Sequence, residues 1–171
     1  FIYVIGDATK FSILGVINTI IGLIAVALFP ALTTKFSRRK LFFASIAIML
    51  VALLIYAGSG TNVTMALIGA GLFALPQPLV FLVVLMTITD SVEYGQLKIG
   101  HRDEAVCLCV PPLVDKFAGA VSSGIIGLVA VWVGMTGGAS AADIKPDALF
   151  HFQIVMFAAP IVLMVIASFF Y

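Results

Sequence analysis

From Phe11 to Leu32 the chain runs for 22 residues without a charged side chain. An α-helix needs about 20 mainly apolar residues to cross the ~30 Å hydrocarbon layer of a bilayer. A helix that is apolar all round has no face to offer water. Four similar runs follow: Leu41–Ala57, Val63 to about Thr89, Ala105–Gly134 and Ala148–Tyr171. Each is expected to span a membrane. Phe1–Gly6 reads as the tail of a further span, with a turn at Asp7–Lys10. The chain starts without methionine and already in apolar sequence, as expected of a piece of a longer protein. The fold class that follows is an all-α integral membrane bundle, five complete spans plus the end of a sixth.

Bulk composition agrees. The chain is 63% hydrophobic and 10% charged, with mean hydropathy +1.23, where soluble domains are about half apolar and about a quarter charged. A net charge of +1 with no basic face argues against a nucleic-acid partner. Cys107 and Cys109 match neither a metal-binding nor a redox spacing, so they read as small apolar residues, and no metal site is expected. Pro76-Gln77-Pro78 should kink the third span, and Pro111-Pro112 the fourth, because proline removes a backbone donor and crowds the preceding turn.

Charges fall between the spans and set a direction. Turns alternate sides, so 33–40 and 90–104 share one side and carry six Lys or Arg: Lys35, Arg38, Arg39, Lys40, Lys98 and Arg102. The other side holds Lys10 and Lys145. The basic side is expected to be cytoplasmic. Trp132 and His151 then read as interface residues on the opposite side.

Two places carry more charge than topology needs. In the stretch Asp90–Glu104, DSVEYGQLKIGHRDE, Lys98, His101 and Glu104 follow at steps of three. If helical they form a ladder on one side, with a histidine that suits a proton-coupled step; otherwise they are solvated residues at a helix start. Lys116 lies inside the fourth span beside Asp115, at a depth that costs at least a few kcal/mol unless it faces a bundle interior or a cavity. Neighbours on a helix point about 100° apart, so the two should share a cavity more readily than pair directly. Lys116, Ala120, Ser123 and Gly127 fall along one face, a stripe of small residues that admits another helix or a ligand.

The segments YVIGDA (Tyr3–Ala8), FPALTTKFSRRK (Phe29–Lys40), DSVEYGQLKIGHRDEA (Asp90–Ala105) and LVDKFAGAVSSGIIG (Leu113–Gly127) together resemble the glycoside–pentoside–hexuronide:cation symporters, the family of the melibiose permease, and most of all its lactose/galactoside branch. The resemblance is collinear over essentially the whole chain. It implies a major-facilitator fold, with this chain as the C-terminal half, from the end of the seventh helix through the twelfth. It implies an N-terminal six-helix half as partner, a sugar substrate, a lipid bilayer around both, and a co-transported H+ or Na+ in place of any bound cofactor. It implies sugar-binding or coupling roles for Lys116, His101, Glu104 and Lys98, and a cytoplasmic gating loop at Asp90, Glu93, Tyr94 and Arg102. The branch often adds a phosphotransferase-like regulatory domain after the last span. The competing readings are a truncated scaffold and a membrane-embedded hydrolase built on His101 and Glu104; the latter needs another convergent His, Asp or Cys, and none stands at useful spacing.

Overall fold

A computed structural model describes residues 9–60, 62–134 and 146–171, with side chains from Ser12 onward outside 146–149 and 151. All regular structure among them is helical: α1 Thr9–Lys35, α2 Arg38–Ala57, α3 Val63–Ala74, α4 Gln77–Ile99, α5 Glu104–Val133 and α6 Pro146–Phe170. Five segments are long and apolar enough to cross a membrane, with α3 and α4 together making one of them. The chain is a multi-pass membrane protein. Phe1–Gly6, Asp143, Lys145 and the side chains of Lys10, Asp147 and His151 lie outside what is described.

Where the helices end is mostly a matter of glycine and proline. Pro76 and Pro78 have no backbone N–H to give the preceding turn, and the helix breaks there, α3 stopping at Ala74 and α4 starting at Gln77. Asn62 caps α3, its side-chain oxygen accepting from the N–H groups of Thr64 (3.2 Å) and Met65 (3.4 Å). Pro111 and Pro112 behave differently. They sit in the third turn of α5, and the helix runs through both, leaving the carbonyls of Cys107 and Leu108 without their usual donors.

Two expected boundaries move. The stretch Asp90–Glu104 is mostly not a loop, since α4 continues ten residues past Thr89 to Ile99. Nothing between Asp90 and Ile99 breaks a helix strongly enough to stop it; Gly100 does, at φ 87°, a left-handed conformation that costs glycine little. The basic turn shrinks likewise, to Phe36 and Ser37 between α1 and α2. Aqueous charge does not end a helix. It only marks where the helix leaves the bilayer.

The helices pack unevenly. The α2–α3 contact is the closest, where Gly69 meets the backbone of Tyr56 and Ala52 and Ala66 are wholly buried. Small residues suit this place, because helices in lipid gain from close backbone approach more than from apolar burial. Nearer the basic end, Ala25 and Phe29 of α1, Leu41, Phe42 and Ile46 of α2, and Leu79 and Val83 of α4 form the buried core, with Met164 and Tyr171 of α6 against it. A third of the most apolar window of α2 is buried, but only 6% of that of α5. This bundle leaves α5 almost bare.

Candidate functional site

At the basic end of the bundle, Arg38 in the first turn of α2 is ion-paired with Asp90 of α4, 52 residues away. The pair joins two of the charged stretches that the alternation of turns assigns to one side. Asp90, Glu93 and Tyr94, expected on a loop, instead stand on the last turns of α4, and all three are exposed. The Arg38 and Asp90 side chains are 38% and 55% exposed, so solvent screens their attraction, and its contribution to stability is at most about 1 kcal/mol. Arg38→Gln is therefore expected to lower the thermal stability of the purified full-length protein by no more than that, read as a melting shift of a few degrees or less. A larger loss would make the pair a support of the fold.

Beyond Gly100 the chain turns through His101–Asp103 and re-enters helix at Glu104. The ladder of Lys98, His101 and Glu104 therefore does not form. Lys98 ends α4, His101 lies in the turn, and Glu104 opens α5, so the spacing of three has no common helix to act on. Glu104 is held instead by Arg102, whose Nε donates to its Oε2 at 2.8 Å. His101 is exposed in the turn before them, without a hydrogen bond or ion pair among the described residues.

On α5, Lys116 Nζ is 3.6 Å from Asp115 Oδ2, so these neighbours do pair directly, the long lysine side chain bridging the 100° between them. Both are exposed, at 87% and 66%. Lys116 is the thirteenth residue of α5, about 18 Å along the helix from its start, within a segment long and apolar enough to cross a membrane. Ala120, Ser123 and Gly127 share its open face, and a Cβ added at Gly119, Gly124 or Gly127 would meet nothing within 4 Å. A lysine within a spanning segment cannot rest against acyl chains without a penalty of a few kcal/mol. The face it occupies calls for protein or water. Among the described residues no three His, Cys, Asp or Glu side chains gather as a metal site would need.

Spacing alone missed several contacts. Opposite charges at one end of neighbouring helices were visible for Arg38 and Asp90, but not which pair would meet. Nothing in the pattern singled out Tyr171, which stacks on Phe42, or Gly69.

Fold and charges together describe a membrane helix bundle with a charged pair on the uncovered face of α5. All 171 residues match the family described as MFS/sugar transport protein, and the chain belongs to that family. It is 50% identical over 167 residues to a raffinose carrier protein of Pediococcus pentosaceus, covering 98% of this chain and 26% of that one. It is 49% identical over 167 residues to a lactose permease of Lactobacillus delbrueckii subsp. bulgaricus, covering 98% and 27%. To a lactose permease of Lactobacillus helveticus it is 41% identical over 165 residues, covering 96% and 26%. The chain thus spans about a quarter of the length of these relatives, which are named as carriers and permeases and not as enzymes.

Proposed function

We propose that the protein containing this chain carries a sugar across the bacterial plasma membrane by secondary active transport, with this chain as the C-terminal half of its helix bundle. The substrate class is a galactoside, lactose first, moved with a proton or exchanged for another sugar. The observation that carries this reading is the uncovered face of α5. Lys116, Asp115 and the small residues beyond them form a surface on a membrane-spanning segment that this bundle leaves open. An N-terminal six-helix half packed there encloses a cavity lined by charge, and relatives named for raffinose and lactose supply the substrate class. The two halves rock about that cavity, opening it to each side in turn. The basic end faces the cytoplasm. There Arg38–Asp90 and Arg102–Glu104 stand where α2, α4 and α5 meet the aqueous phase.

In this cycle His101 and Glu104 connect protonation to release at the cytoplasmic end. Uptake of labelled lactose by cells making the full-length protein tests it, with and without a proton gradient. Glu104→Gln is expected to lose gradient-driven accumulation by about tenfold or more while sugar exchange survives in part. His101→Gln is expected to weaken accumulation in the same direction. Uptake unaffected by either change, at normal membrane abundance, would return both residues to surface charge.

A further inference from the structure

α6 meets α2 through two aromatic contacts, one at its middle and one just past its last residue. At the middle Phe157 meets Tyr56 of α2 edge-on, with ring centroids 5.3 Å apart. Past the C-terminal end, Tyr171 stacks on Phe42 at 4.0 Å and 21° and meets Phe43 edge-on at 6.5 Å. Beside the second contact an apolar groove of about 570 Å³ opens where α6 faces α2 and α4.

The Tyr171 contact has a direction. The Thr87 hydroxyl donates to the Val83 carbonyl at 2.9 Å and lies 3.3 Å from the Tyr171 hydroxyl. A hydroxyl has one proton to give, so the phenol is the donor and Thr87 the acceptor. A tyrosine acting only as an interface anchor turns its hydroxyl to the headgroups; this one turns it to α4. Two of the residues that Tyr171 touches, Phe42 and Thr87, lie under the ion pair. Phe42 is one turn from Arg38 on α2, and Thr87 is three residues from Asp90 on α4. Below them Ile46 and Val83 continue the same layers into the core, with Met164 of α6 seven residues before Tyr171. Moving Tyr171 therefore shifts the footing of both charges at once.

We propose that Tyr171 is a positioning residue of the transport cycle: its ring on Phe42 and its hydroxyl on Thr87 hold α2 and α4 at the spacing that keeps Arg38 on Asp90, and so hold the basic end closed. This rests on the transport reading above, in which that end opens and closes. The ion pair is the bolt, and Tyr171 keeps its two parts in line.

The test uses the full-length protein with Cys107→Ser and Cys109→Ser and a reporter cysteine, Ala120→Cys, on the open face of α5. A membrane-impermeant maleimide is applied from the side carrying Phe36 and Ser37, and the labelling rate reports how often that end is open. Asp90→Asn is expected to raise the rate. Tyr171→Phe and Thr87→Val each raise it about threefold, the scale of one net hydrogen bond. The double variant also gives about threefold, since both remove the same bond, and Thr87→Ser, which keeps the acceptor, labels like the parent. If Asp90→Asn opens the end while Tyr171→Phe and Thr87→Val do nothing, or if their effects multiply, the positioning role is wrong and the gate stands. If Asp90→Asn also leaves the rate unchanged, the gate at this end is wrong and the proposal falls with it.

Discussion

Gly69→Leu is expected to leave less than about a tenth of the normal amount of folded protein in the membrane, the largest stability effect of any single change considered for this bundle. The reason is one contact. A Cβ at position 69 would lie 2.8 Å from the backbone nitrogen of Tyr56 and 2.9 Å from its Cα and Cβ. None of these atoms can rotate away, so α2 and α3 must part. In water such a separation would at least be opposed by the apolar surface it exposes. In lipid it is not, because acyl chains solvate that surface as well as a neighbouring helix does, and what is lost is packing. Gly69→Ala already carries the clash and should cost about 1–3 kcal/mol, the range for overpacking a filled interior. Gly71 is the control on the same helix. Its added Cβ would come 3.4 Å from Cδ1 of Ile21, the far end of a side chain that can turn. Thermal unfolding of the purified full-length protein should place Gly71→Ala within about 1 kcal/mol of the parent. Equal losses at the two positions would show that the α2–α3 approach is looser than this structure has it.

How much of this was visible in the residue order depends on which force decided each feature. The spans were, because length and hydrophobicity decide them: Phe11–Leu32 and Leu41–Ala57 lie within α1 and α2. The break at Pro76–Pro78 was visible because a missing N–H is a local fact. Pro111 and Pro112 have the same missing groups and do not interrupt α5, so whether a proline ends a helix is not fixed by the proline alone. The charged stretch misled for a related reason. Polarity marks the water, and α4 carries Asp90, Glu93, Tyr94 and Lys98 out into it as helix until Gly100 stops it. That single glycine undoes the Lys98–His101–Glu104 ladder. Arg38–Asp90 and Tyr171–Thr87 join residues 52 and 84 positions apart, and no periodicity within one helix can point to them. The exposed Lys116 was legible as a charge in the wrong solvent. Which face it occupied, and that this bundle leaves the face open, was not.

That lysine carries the second large prediction. Lys116→Ala is expected to reduce gradient-driven sugar uptake by about 10- to 150-fold at normal membrane abundance, the range for losing a hydrogen bond to a charged group. Lys116→Arg should fall between, since a guanidinium keeps the charge but not the compact geometry of an ammonium. The plainer account is that Lys116 exists to neutralise Asp115, 3.6 Å from its Nζ, so that neither charge is bare inside the bilayer. The two accounts separate in the double variant Asp115→Asn/Lys116→Gln, which removes both charges. If neutrality is all that matters, the single changes are worse than the double, because each leaves one charge unpaired at a cost of a few kcal/mol, and the double transports like the parent. If the ammonium contacts sugar or cation in the cavity, the double variant reaches the membrane in normal amounts and still fails to accumulate sugar. Exposure favours the second outcome. A pair whose purpose is mutual neutralisation gains most when buried together, whereas these side chains stand 87% and 66% clear of their own bundle, on a face whose glycines leave room beside them.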